Sequence, residues 1–164
     1  MRVDPISFDE IYRGAADPWA FTTSPYELAK YDTTAASLTR AVYQRCFEPA
    51  CSIGALTDRL ATRARAVVAC DASATAIARA TGRLSGHSNV ELVTAAIPEW
   101  WPVGTFDLIV LSELGYYWDI SGWRDIIARC RDALDEHGEI IAVHWLGTSA
   151  DHIPTEPRST SNWP

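Results

Sequence analysis

The stretch Phe47-Glu48-Pro49-Ala50-Cys51-Ser52-Ile53-Gly54 decides the fold, read with Asp71 at the end of Ala66-Val67-Val68-Ala69-Cys70. A short apolar run and an acid lead into a loop of small residues and a helix start. Seventeen positions after Gly54, a second acid closes a second apolar run. That is the outline of a first βαβ unit, in which the loop brings backbone close to a ligand and the second acid reaches ribose hydroxyls. The glycines that a dinucleotide pyrophosphate demands are mostly missing, because Ala50 and Ser52 carry side chains where bare backbone is needed. A nucleoside ligand without phosphate tolerates them better.

On either side of this unit the pattern continues. A strand is expected around Ala50, a helix from about Ala55 to Ala61, a strand at Ala66–Cys70 and a helix from Ser73 to Leu84. Val90–Val93 reads as a third strand and Phe106–Leu111 as the most continuous buried one. A helix carries Trp123, Ile126, Ile127, Cys130 and Leu134 on one face, with Gly138 just past its end, and Glu139–Trp145 is a fifth strand. Strands alternating with helices predict an α/β fold with a doubly wound, mostly parallel five-stranded Rossmann-like sheet. Upstream, Ser24-Pro25-Tyr26-Glu27 reads as a helix start: Ser24 as N-cap, Pro25 in the first turn and Glu27 completing a capping box. Leu28, Tyr31, Ala35, Leu38 and Val42 give that helix one packed face. Residues 1–23 read as an irregular aromatic segment or lid, 24–147 as the main domain and 148–164 as a disordered tail.

At 164 residues, 48% hydrophobic and 21% charged, the chain suits one globular domain. A formal net charge of −7 argues against a nucleic-acid partner, and Arg59, Arg63 and Arg65 read as a solvated helix end. Cys46, Cys51, Cys70 and Cys130 show no C-x-x-C spacing and are expected to be buried free thiols in a reducing compartment. No secretory segment and no apolar run of membrane-spanning length is present, so a soluble, cytoplasmic protein is expected. No metal site is expected, for want of a histidine or carboxylate cluster at ligand spacing.

The glycine-poor loop leans toward S-adenosylmethionine (SAM) over NAD. The chain further resembles the class I SAM-dependent methyltransferases, and within them the nodulation protein S (NodS) family of N-methyltransferases. The likeness rests on Glu48-x-Ala50-Cys51-Ser52-x-Gly54 with Asp71, on Asp17-Pro18-Trp19-x-Phe21-x-Thr23-Ser24-Pro25-Tyr26-Glu27, and on Phe106 to Tyr117, over residues 8–147. The resemblance implies that Glu48, Ala50, Ser52 and Gly54 line the methionine end of SAM and that Asp71 accepts the ribose hydroxyls. Ala96 stands where the class often has an acid near the adenine amine, so adenine is left to backbone and to packing against Ala72 and Ile97; Ser112 joins the same cofactor set.

Each residue also has a structural alternative. Asp71 can cap the next helix. Glu113, at the end of the central strand, has either a substrate or cofactor role or a structural hydrogen bond. Tyr116, Tyr117 and Trp118 read as core or lid packing or as substrate contacts, and Trp100-Trp101 as a cover for the sheet edge. Trp19 and Tyr26 offer aromatic faces to a cation. His144, at the end of the fifth strand, is either structural or, with Glu113, a proton acceptor for an arriving amine.

The expected activity is methyl transfer to the amine of an amino sugar or other small metabolite. O-methylation of a sugar or small molecule, a non-catalytic SAM-binding protein and, more weakly, an NAD-linked oxidoreductase are the alternatives. The class follows its fifth strand with a further helix and an antiparallel hairpin, whereas little patterned sequence follows Trp145. Truncation, with weak or absent turnover, is therefore expected; the other account is a second protomer covering the exposed fifth strand.

Overall fold

The computed structural model describes residues 5–145. The elements run α1 (Pro5–Gly14), α2 (Pro25–Ala36), β1 (Cys46–Pro49), α3 (Ala55–Ala61), β2 (Val67–Asp71), α4 (Ala74–Arg83), β3 (Val90–Thr94), β4 (Phe106–Ser112), α5 (Ile120–Ala133) and β5 (Leu134–Val143). All four strand pairings are parallel and the spatial order is β3-β2-β1-β4-β5. The five-stranded sheet is as expected.

Local chemistry sets the helix starts. Ser24 accepts the Glu27 amide with Pro25 in the first turn, Ser73 accepts the Ala76 amide, and Asp119 accepts the Gly122 amide. β4 is buried from Phe106 to Leu111, and its alternation splits the core. Leu108 and Val110 face the side of Tyr31, Leu56, Leu60 and Ile77, on α2, α3 and α4. Ile109 and Leu111 face the side of Trp123, Ile126 and Cys130, on α5. All four cysteines are buried and free.

Several expectations need correction. Residues 5–14 are helical, not irregular; α1 seats Tyr12 against Ile53 and Ala76. Asp9 fixes it further by accepting the Ser73 hydroxyl at 2.7 Å and the Thr75 amide at 3.0 Å, at the N-terminus of α4. α2 ends at Ala36, so Val42 is exposed and off the packed face. Gly138 does not end a helix: α5 runs at Leu134 straight into β5, and Gly138 lies within that strand. Trp100 and Trp101 cover the sheet's centre, not its edge, with ring centroids 6.3 and 5.2 Å from Phe47 on β1. Arg63 is engaged with the carbonyls of Ala35, Arg40 and Ala41. No helix among the described residues is long and apolar enough to cross a membrane. The tail expected at 148–164 lies outside the described residues, among which β5 is an edge strand.

Candidate functional site

A cavity of about 420 Å³ opens at the carboxyl ends of β1, β2 and β4, where open parallel sheets place their ligands. Its floor at one end is the β1–α3 loop. Ala50, Ser52 and Gly54 all adopt left-handed φ values of 57°, 54° and 78°, a region in which a Cβ is strained. The loop thus keeps the backbone of a glycine-rich turn without its glycines. Only Gly54 is sterically required: a Cβ there would lie 2.9 Å from Leu84 Cδ1 and 3.2 Å from Ala80 Cβ.

Asp71 fixes this loop. Its Oδ2 accepts the Ser52 amide at 2.9 Å and its Oδ1 the Ser73 amide at 2.8 Å. Each oxygen keeps a lone pair for a further donor. Burial pushes the Asp71 carboxyl up to about 6 against the two amides, with Asp9 adding to the rise. The Ser52 hydroxyl is bonded to Tyr12 of α1, so the N-terminal helix reaches directly onto the loop. Ala72, Ala96 and Ile97 complete this end of the wall.

The opposite end is built from α2 and the end of β4. Glu113 has a left-handed φ of 53° and sends its amide to Val143 of β5 at 2.8 Å. Its carboxylate accepts Lys30 Nζ at 2.8 Å, the Trp145 amide at 3.1 Å and the Tyr116 hydroxyl. Burial alone would raise this carboxyl; Lys30, Tyr116 and the Trp145 amide outweigh it and hold the group below its ordinary value. Lys30 Nζ also lies 2.7 Å from Glu27 Oε2 and between the rings of Tyr26 and Tyr31, at 5.7 and 5.4 Å from their centroids. Burial would lower the Lys30 ammonium's pKa, yet Glu113 and Glu27 together raise it. Tyr26 and Trp145 are 56% and 43% exposed at the rim.

Of the residues singled out in the sequence, the cavity gathers Trp19, Tyr26, Ala50, Ser52, Asp71, Ala72, Ala96, Ile97, Ser112, Glu113, Tyr116 and Tyr117. Glu48, Gly54 and His144 are not on its wall. Glu48 is buried behind the loop, and burial, opposed by Thr57 and reinforced by Asp71, pushes its carboxyl up to about 8. His144 Nε2 accepts the Gly115 amide at 2.7 Å, and its ring meets Trp123 and Tyr116 edge-on. The Nε2 lone pair is therefore engaged, and Gly115 is required because a Cβ there would lie 2.5 Å from that nitrogen. Glu27 and Lys30 were missed as site residues. The capping-box spacing gave Glu27 another explanation, and a lone lysine on a helix signals nothing until its neighbours are known.

The chain matches the family model "Nodulation protein S (NodS)" over residues 10–142. Among curated proteins it is 26% identical over 129 residues to nodulation protein S of Sinorhizobium fredii, covering 77% of this chain and 60% of that protein. It is 26% identical over 149 residues to nodulation protein S of Rhizobium tropici, covering 86% and 63%. The chain thus spans about three fifths of the length of these curated relatives. Its fold superposes with a TM-score of 0.77 on the N-methyltransferase NodS from Bradyrhizobium japonicum solved with S-adenosyl-L-homocysteine (SAH), at 26% identity, covering 84% of this chain and 71% of that one.

Proposed function

The chain belongs to the nodulation protein S family, and from that premise we propose that it binds SAM and methylates the amine of an amino sugar or similar small molecule. The observation that carries the cofactor half is Asp71: a buried carboxylate with spare lone pairs on the cavity wall, beside a loop held in glycine-like geometry. Asp71 would hold the ribose hydroxyls, Ala50 and Ser52 would bring backbone against the methionine end, and Ala72 and Ile97 would pack against adenine. Bound SAM supplies the chemistry, a methyl group made electrophilic by its sulfonium and open to in-line displacement by an amine lone pair.

The chain's own residues then have two tasks. The aromatic wall of Trp19, Tyr26, Tyr116 and Tyr117 excludes water and offers ring faces to a cation. The second task is to set the amine in line, about 3 Å from the carbon it attacks, which supplies much of the rate. Glu113, held ionised by Lys30, orients this end and is a weak proton acceptor; His144 braces Gly115 from behind. Residues 24–147 form the transfer domain in this reading, with the segment 1–23 as its lid, in a soluble, cytoplasmic protein.

Calorimetric titration with SAH, SAM and NAD, followed by labelled SAM with an amine panel, tests the proposal. Binding of SAH and SAM but not NAD, with label transferred to an amine, is the expected result. Preferential NAD binding, or label appearing only on alcohols, overturns it.

A further inference from the structure

Glu27 sits at the fourth position of Ser24-Pro25-Tyr26-Glu27, where a capping box would turn its carboxylate back onto the Ser24 amide. That amide instead donates to the Ala20 carbonyl at 2.8 Å. Half of the box is kept, the Ser24 hydroxyl accepting the Glu27 amide at 3.5 Å, and the carboxylate is released toward the cavity that it lines. Its side chain is only 13% exposed; Oε2 is buried and ion-paired with Lys30 Nζ at 2.7 Å, while Oε1 accepts no hydrogen bond from the described residues. Glu113, by contrast, already accepts three bonds.

The wall therefore holds two carboxylates against one ammonium, and the open acceptor is on Glu27. Resting on the methyltransferase reading above, we infer that Glu27, backed by Glu113, is the residue that selects a cationic amine as acceptor, through a charge-assisted N–H···O bond to the entering ammonium. A phosphate or carboxylate acceptor would meet an unneutralised negative charge at Glu27. Lys30 does not invite such an anion, because both of its carboxylate neighbours already claim it. A neutral hydroxyl would satisfy Oε1 with a bond roughly half as strong as one from an ammonium. Tyr26, exposed at the rim beside Lys30, adds a ring face that favours a cation over either.

The test is calorimetry on the SAH-saturated protein with glucosamine, N-acetylglucosamine and glucose 6-phosphate, which offer a cation, a neutral amide and an anion on similar rings. Glucosamine is expected to bind at least tenfold more tightly than the other two. Glu27→Gln, which keeps size and removes charge, should abolish that preference and leave SAH affinity unchanged. Equal binding of the three sugars, tighter binding of glucose 6-phosphate, or an unchanged preference in Glu27→Gln overturns the inference. Should the variant fail to fold, the ranking by the unaltered protein decides alone. Normal SAH binding without a glucosamine preference sinks only this inference, whereas failure to bind SAH sinks the methyltransferase reading as well.

Discussion

Asp71 and Glu113 stand two strands apart on the same edge of the sheet, at the ends of β2 and β4 with β1 between them. Both are carboxylates on one cavity wall, yet they are held in opposite ways. Asp71 is fixed by neutral backbone amides and its carboxyl is pushed up to about 6 by burial, as that of Glu48 behind it is pushed up to about 8. Glu113 has a cation at 2.8 Å and is held below its ordinary value despite burial. The Asp71 end, proposed to hold the cofactor, is thus a place where negative charge is costly and awaits donors. The Glu113 end, proposed to receive the acceptor, is one where two carboxylates share a single ammonium, leaving the second oxygen of Glu27 without a donor.

The largest expected effect comes from breaking the paired end. Lys30→Met leaves Glu113 buried without its cation and should cost about 3 kcal/mol of stability near neutral pH, the low end of buried-pair losses because neither group is wholly sequestered. The sign with pH follows from the lowered carboxyl: its contribution is present above the ordinary carboxylate range and is lost as pH falls through the folded value. Chemical denaturation from pH 3 to 7 should therefore show the gap between the two proteins closing on the acid side. A gap of the same size throughout would mean that the loss comes from packing around Lys30 and not from the ion pair.

Glu48→Gln should act in the opposite direction. A carboxyl raised to about 8 favours the folded protein at acid pH, and that advantage disappears as pH rises from the ordinary range through about 8. Replacing it with an amide should stabilise the protein at pH 9 and have little effect at pH 4, read from the same denaturation series. Equal shifts at both pH values would show that Glu48 is not buried as an acid.

How far the two ends were legible follows the same division. The alternation of strands and helices, the β1–α3 loop and Asp71 are local in sequence, and each lies where the spacing put it. The acceptor end is assembled from α2 and from residues about eighty and more positions away, at Glu113 and Trp145. No local pattern announces that meeting, and Glu27 already satisfied a helix-start motif. The N-terminal helix was missed for a related reason: Tyr12, Asp9 and Arg79 secure it through contacts with Ser52, Ser73 and the Ala15 and Ala16 carbonyls, all supplied by distant sequence or by the fold. Gly138 misled because a glycine after an amphipathic run resembles a helix end, while α5 passes into β5 with no intervening turn.

At the cofactor end, Asp71→Ala should weaken SAH binding at least tenfold, since bonds to a charged acceptor contribute about 1.5–3 kcal/mol each. In the unaltered protein, affinity should fall as pH drops below about 6, where Asp71 takes up its proton. Calorimetry across pH 5–8 checks both, and an affinity indifferent to the substitution removes Asp71 from the site.

The smallest effect concerns the loop's missing glycines. Ala50 and Ser52 share a left-handed backbone, with φ of 57° and 54°, which costs a residue bearing a Cβ roughly 1–2 kcal/mol. Glycine removes that strain but loses roughly 0.5–1 kcal/mol of chain entropy on folding. Ala50→Gly should therefore stabilise the protein by no more than about 1.5 kcal/mol. Ser52→Gly relieves the same strain and also deletes the hydroxyl bonded to Tyr12, a loss of about 0.5–1.5 kcal/mol. Its net effect should lie below that of Ala50→Gly by about the contribution of that bond, and the Tyr12→Phe background should restore parity between the two glycine variants. Thermal melts of the three single variants and the two double ones measure this difference. If Ser52→Gly matches Ala50→Gly even with Tyr12 present, the bond between α1 and the loop contributes nothing to folding, and the N-terminal helix is held by the packing of Tyr12 on Ile53 and Ala76 together with Asp9 and Arg79.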